Sequence, residues 1–252
     1  MKKAIIIGSS TGIGRALAKV LARNGHEVGL AGRNVSLMEE LASELPTRSY
    51  VKAIDVTRTE EARDCLVELI EEMGDVQLVV VNSGVGHHDP NWEEELEIID
   101  VNVKGFAATA SKALDYFVER GSGHLVGITS IAAIRGLRAA YSGSKAFDAL
   151  YLEALRLKAD GLAVDVTVTD VKPGFVATPM TDGRTDMFWV ASPEKAAEQI
   201  YQAIRKKKRH VYVTRRWRVM AWIMKALPYP VVSAIHSRRQ HPPPPNPESS
   251  TR

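Results

Sequence analysis

Tyr141 and Lys145 stand four residues apart in Tyr141-Ser142-Gly143-Ser144-Lys145, the spacing that stacks two side chains on one face of a helix. A free phenol gives up its proton near ~10 and a free ammonium near ~10.4, so neither handles protons usefully at neutral pH alone. Together they do more. An ammonium beside a phenol favours the phenolate by Coulomb attraction and brings proton exchange toward neutrality. Tyr141 is therefore a candidate general acid and base. The same spacing also fits a solvated helix face, so the pair needs supporting features before it means chemistry.

The first support lies at the start of the chain. Lys2-Lys3 leads into the apolar run Ala4-Ile5-Ile6-Ile7, then Gly8-Ser9-Ser10-Thr11-Gly12-Ile13-Gly14, then a stretch carrying Leu17, Val20 and Leu21 at helical spacing. The pattern predicts a strand, a tight glycine turn and a helix. Glycines let a backbone approach a pyrophosphate, and a helix N-terminus offers free N–H groups and a positive dipole end. The spacing G-x-x-x-G-x-G differs from the G-x-G-x-x-G fingerprint, and no Gly-Lys-Ser/Thr follows to make a P-loop. The competing reading is a tight turn that binds nothing.

Further along stand Asn82-Ser83-Gly84 after the apolar run Val76–Val81, then Asn102, Ser130 and Pro173-Gly174-Phe175-Val176-Ala177-Thr178. From about Lys2 to Thr178, in this order, these motifs resemble the short-chain dehydrogenase/reductase family. The resemblance implies a Rossmann-like fold and an NAD(P)-dependent enzyme interconverting a ketone and a secondary alcohol. It implies catalytic roles for four residues. Tyr141 would protonate the nascent alkoxide, and Ser130 would hydrogen-bond the carbonyl oxygen. Lys145 would hold the nicotinamide ribose and support the phenolate, and Asn102 would anchor a water continuing the proton relay. The implied cofactor-binding set is Gly8, Ser10, Thr11, Gly12, Ile13 and Gly14 of the glycine turn, Arg33, Asp55 at the adenine amino group, Val56, Asn82 and Gly84 near the adenosine ribose, Tyr141 and Lys145, and Pro173, Gly174, Val176 and Thr178 bordering the nicotinamide. Asp55 or Thr57 also reads as a cap for a helix starting near Arg58. No metal site is expected.

One departure stands out. Ser130 and Tyr141 are 11 residues apart, two fewer than in most of the family, so Ile131–Ala140 must make a tighter connection. Thr129 then reads as a reserve hydroxyl.

The cofactor's 2′ position can be read from the end of the second strand. An acid there would hold a ribose diol and repel a 2′-phosphate. This chain has Gly32-Arg33, and a guanidinium pairs with phosphate through its planar fork. NADP(H) is favoured; NAD(H) stays open, because arginine here also occurs in the family without strict preference.

The elements that must position these groups follow from periodicity. Strands are expected near 3–7, 27–31, 49–54, 76–82, 123–129, 163–170 and 210–213, with helices over 13–24, 35–45, 58–73, 93–120, 141–160 and 193–206. The alternation implies an α/β fold, a doubly wound parallel sheet of about seven strands in a single domain. We expect that domain over 1–213, a basic amphipathic segment over 214–240 and a disordered tail over 241–252. Cys65 is the only cysteine, so no intrachain disulfide forms and a reducing compartment fits. The N-terminus enters a strand rather than a signal peptide, so the expected location is cytoplasmic, peripheral at the inner face of a membrane at most.

Charge is unevenly placed. Residues 1–204 hold 21 Lys and Arg against 29 Asp and Glu, and residues 205–252 hold 12 against one. Basic residues flanking Val219-Met220-Ala221-Trp222-Ile223-Met224 fit an interfacial helix on anionic lipid over 205–227; packing on the acidic body or on a second copy fits equally. No stacking or groove-reading motif points to nucleic acid. Phe188-Trp189-Val190 reads as the floor of an apolar pocket or as core. The expected substrate is a small carbonyl or alcohol compound, lipophilic in character, such as a 3-oxoacyl or steroid-like molecule. The alternatives are a sugar or polyol dehydrogenase and a non-catalytic dinucleotide-binding sensor. A homodimer or homotetramer built on the helices around 93–120 and 141–160 is expected.

Overall fold

A computed structural model describes residues 2–240; the tail expected over 241–252 lies outside the described residues. The chain runs β1 (Lys2–Ile7), α1 (Gly12–Arg23), β2 (His26–Gly32), α2 (Val35–Glu44), β3 (Ser49–Ala53), α3 (Thr59–Met73), β4 (Leu78–Val81), α4 (Trp92–Ile98), α5 (Phe106–Arg120), β5 (Ser122–Ile128), α6 (Ala139–Gly161), β6 (Asp165–Pro173), α7 (Pro193–Arg205), β7 (His210–Val213), α8 (Arg216–Ala226) and α9 (Tyr229–Gln240). All seven strands are parallel, in the order β3-β2-β1-β4-β5-β6-β7.

Strand periodicity builds two cores, one on each face of the sheet. Ile5, Ile7, Val79 and Val81 point to one face, where they meet Leu66 and Leu69 of α3, Phe106 and Phe117 of α5 and Leu152 of α6. Ala4, Ile6, Leu78 and Val80 point to the other, against Leu17 and Leu21 of α1, Met38 of α2 and Ile200 of α7. Each of the Val, Leu, Ile, Phe and Met side chains among them contributes roughly 1.5–3 kcal/mol when fully buried. The sheet that carries the site is thus clamped from both sides. Strand order reverses between β1 and β4, which opens a crevice at their carboxyl ends. Gly8 and Asn82 sit there.

Three local features depart from expectation. The helix expected over 93–120 is interrupted by a π-type stretch, Ile99–Gly105, between α4 and α5. Gly105 permits close packing there, since a β-carbon on it would lie 2.7 Å from Val56. β6 runs to Pro173 because Val171–Pro173 continues the ladder with Val211–Val213. Neither Asp55 nor Thr57 caps α3, whose N-cap is Arg58 without a side-chain bond; Asp55 instead accepts from the Thr57 N–H and hydroxyl at 3.0 and 2.8 Å. At the start of α7, Ser192 caps Lys195 N–H with Pro193 in the first turn, as the sequence predicts.

Candidate active site

The glycine turn is locked by contacts that only glycine tolerates. Gly8 has φ +88°, and a β-carbon there would lie 2.6 Å from the Ser83 nitrogen. One on Gly14 would lie 2.0 Å from the Gly8 carbonyl oxygen. Asn82 completes the lock by donating to that carbonyl at 2.7 Å. The turn and the first residues of α1 thereby present backbone along one wall of a cleft of about 340 Å³. Thr178 approaches Gly12 from the opposite wall, with its methyl 3.1 Å from a β-carbon placed there. All the expected cofactor-binding residues except Gly14 line this cleft, and so do Ser130, Tyr141 and Lys145.

At one end of the cleft Arg33 follows β2, half-exposed, its only ion pair among the described residues a 4.0 Å contact with Glu97. Burial pushes the Asp55 carboxyl up, but the Thr57 bonds and the charges of Arg33 and Arg58 outweigh it and leave it below the usual range. At the other end α6 carries Tyr141 in its first turn and Lys145 one turn later. Lys145 is buried beside Gly84 and donates to the Ile128 carbonyl at 3.4 Å. Ser130 caps a short 3₁₀ turn, Ile131–Ile134, which takes up the shortened connection. Its oxygen accepts from Ala132 N–H at 3.1 Å, so its own proton remains free to donate.

Two expected roles meet a different setting. Thr129 is no reserve hydroxyl. It lines the cleft beside Ser130, but its hydroxyl is already engaged, 2.7 Å from an Asp170 carboxylate oxygen and 3.0 Å from the Val171 carbonyl. Asn102, on the π-type turn, stands just behind the cleft wall, fully buried. Its amide accepts from Val85 N–H at 2.8 Å, donates to the Val85 carbonyl at 2.9 Å and reaches the Ser144 hydroxyl at 3.1 Å. It ties the loop after β4 to the helix bearing Tyr141 and Lys145.

The sequence model of the short chain dehydrogenase family matches residues 2–189. The chain belongs to that family. This dehydrogenase is 36% identical over 247 residues to an uncharacterized oxidoreductase of Myxococcus xanthus, covering 94% of this chain and 97% of that one. It is 34% identical over 188 residues to an uncharacterized oxidoreductase of Staphylococcus epidermidis, covering 72% and 81%. Among solved structures, the alcohol dehydrogenase of Thermococcus sibiricus, complexed with 5-hydroxy-NADP, superposes with a TM-score of 0.76 at 27% identity, over 84% of this chain and 95% of that one. A 3-ketoacyl-(acyl-carrier-protein) reductase of Brucella melitensis, complexed with NADH, shares the fold with a TM-score of 0.75 at 22% identity, over 84% and 96%. The chain is an NAD(P)-dependent oxidoreductase.

Three features of the dehydrogenase's site escaped the sequence reading. Asp148, one turn after Lys145, is fully buried and takes the Lys145 ammonium at 2.9 Å on one oxygen, while its other oxygen has no partner among the described residues. Burial pushes its carboxyl up to about 6 against the pull of Lys145. Arg138 lays its guanidinium 4.7 Å from the centre of the Tyr141 ring and donates to the His87 carbonyl. That places a cation over the phenol ring. Trp217 of α8 is seated on Gly174, where a β-carbon would lie 2.0 Å from the indole. With Phe175, Phe188 and Trp189 it forms one aromatic cluster, centroids 5.2–5.7 Å apart. Phe188 and Trp189 therefore clasp α8 behind the cleft wall at Gly174.

Proposed function

We propose that this chain interconverts a ketone and a secondary alcohol with NADP(H), on a lipophilic substrate of the 3-oxoacyl or steroid-like kind. The observation that carries this is convergence: one cleft holds the glycine cradle, Arg33 and the Ser130, Tyr141 and Lys145 side chains. The cradle fits a dinucleotide because its glycines leave bare backbone at a helix start, where β-carbons would collide with Gly8 and Ser83. Arg33 with no acid at the end of β2 favours the 2′-phosphate. When bound, the nicotinamide supplies or accepts the hydride.

The protein's own residues handle the proton and the oxygen. Ser130 donates its free proton to the carbonyl oxygen and orients it. Tyr141 gives its proton to the same oxygen as charge develops there, and takes it back in the oxidative direction. Lys145 is held one turn along α6 by Ile128 and Asp148, and Arg138 holds the Tyr141 ring in place from above. Asn102 holds Val85 and Ser144 in place beside Lys145. The aromatic cluster of Phe175, Phe188, Trp189 and Trp217 supports an apolar substrate wall on the Gly174 side.

Fluorescence titration with NADPH and NADH at fixed low salt tests the cofactor half. Tight NADPH binding is expected; failure to bind either nucleotide removes the proposal. Arg33→Ala should weaken NADPH by ~10–100-fold, the worth of a lost charge-assisted phosphate contact, and leave NADH within about twofold. Equal losses for both would exclude the phosphate contact.

The outward row of α6 bears on assembly. Leu150 and Leu157 are 68% and 66% exposed, and Phe147 stacks on Tyr151 beside them. We infer that a second copy covers this row in a homodimer or homotetramer. Leu150→Glu with Leu157→Glu should lower the sedimenting mass to that of one chain, and an unchanged mass would reject that interface.

A further inference from the structure

α8 carries two unlike faces. The inner face is fixed to the body: Trp217 and Ala221 are buried, and Arg135 binds the helix's last carbonyls, those of Met224 at 2.7 Å, Lys225 at 3.3 Å and Leu227. The outer face is apolar and open. Val219, Trp222 and Ile223 are 62%, 74% and 48% exposed, and Tyr229 and Val231 at the start of α9 are exposed as well. At 3.6 residues per turn, Trp222, Ala226, Val219 and Ile223 fall within one arc of about 100°. Arg218 and Lys225 border that arc on one side and Arg216 on the other. No Asp or Glu occurs from 210 to 240. Arg215, Arg218 and Lys225 make no ion pair among the described residues.

Single exposed apolar side chains are ordinary, but a contiguous set of them on a rigid helix marks a contact surface. Three partners offer themselves, and charge separates them. A symmetric contact with a second copy would set Arg216, Arg218 and Lys225 of one α8 against the same cations of the other. A nucleic acid would satisfy the cations and leave the central Trp222 and Ile223 uncovered. An anionic bilayer satisfies both parts at once, because cations meet headgroup phosphates while the apolar arc reaches the acyl boundary, and Trp favours that depth.

We propose that the outer face of α8, together with Tyr229 and Val231, docks this dehydrogenase flat on anionic phospholipid. No helix among the described residues is long and apolar enough to cross a membrane, so the docking is peripheral. The fold also narrows the surface expected over 205–227. The tract Lys206–Arg209 precedes β7 and α8 follows it, so the two lie at opposite ends of that strand. Lys207 and Arg209 are moreover paired with Asp165 at 3.1 Å and Asp160 at 3.6 Å. That tract belongs to the body's own charge balance. The docking surface runs from Arg215 to Val231 and stands independently of which ketone the site reduces.

The test is co-sedimentation of the full chain with vesicles of phosphatidylcholine alone and of equal parts phosphatidylcholine and phosphatidylglycerol. Binding is expected to the mixed vesicles only, weakened by added salt. Trp222→Glu with Ile223→Glu, at exposed positions, should lower the partition coefficient at least about tenfold. NADPH titration of the same samples checks that the variant is folded and separates a docking failure from a failure of the cofactor reading. The proposal is overturned if the parent ignores mixed vesicles, or if the folded variant binds them equally, which would assign the adsorption to charge elsewhere. It is also overturned if the variant only loses self-association, or only loses affinity for duplex DNA, with no effect on vesicles.

Discussion

Turnover by the Tyr141→Phe protein is expected to fall by about 10³-fold, within the range typical for loss of a positioned proton donor, while NADPH affinity stays within about twofold. The change is clean on structural grounds. Among the described residues the Tyr141 hydroxyl makes no hydrogen bond, so its removal orphans no buried partner. The ring itself is held by Arg138 at 4.7 Å and by Gly86, where even a β-carbon would lie 3.0 Å from the ring edge. A phenylalanine therefore keeps the ring's place and loses only the proton. NADPH oxidation with any ketone the parent reduces reads the effect, and the loss should fall in kcat with KM little changed. A residual rate within tenfold of the parent would remove Tyr141 as the acid and leave Ser130 as the only hydroxyl donor at the carbonyl.

Much of this site was legible because its chemistry sits where local pattern speaks. The buried run ending at Val81, the glycines at 8, 12 and 14 and the i,i+4 pair Tyr141 and Lys145 each announce an element and a face. What stayed hidden depends on contacts distant in sequence or on one extra residue in a turn. The π-type stretch at Ile99–Gly105 adds one residue to a helical turn, and amphipathic spacing over 93–120 does not resolve that. Thr129 and Ser130 are adjacent hydroxyls on the same cleft, and only the fold, which sets Asp170 and the Val171 carbonyl against Thr129, decides which one keeps a free proton. Pro173-Gly174 looks like a turn signal, yet Gly174 is required by the indole of Trp217, more than forty positions on. Asp148 was missed because an acid on a helix ordinarily reads as a solvated face. Only the tertiary fold buries it and leaves Lys145 as its sole charged partner among the described residues.

Asp148→Asn is expected to remove a pH dependence from both stability and rate. Burial raises the Asp148 carboxyl from 3.8 to about 6, so the folded state holds its proton more tightly than the unfolded chain does. The sign follows from proton linkage. The native state is favoured below about pH 4, and that advantage is lost as pH rises through about 6, a swing of about 3 kcal/mol. The asparagine protein has no such titration, so the stability of the parent relative to the variant should decline across that window. Denaturant midpoints from pH 4 to 7 read it directly. The rate carries the second signature. Above about pH 6 the Asp148 carboxylate offsets part of the Lys145 charge; below it Lys145 acts uncompensated beside Tyr141. The parent's kcat/KM profile should therefore inflect near pH 6 and the variant's should not. A stability difference flat from pH 4 to 7, together with superimposable rate profiles, would show that Asp148 only fills space beneath Lys145.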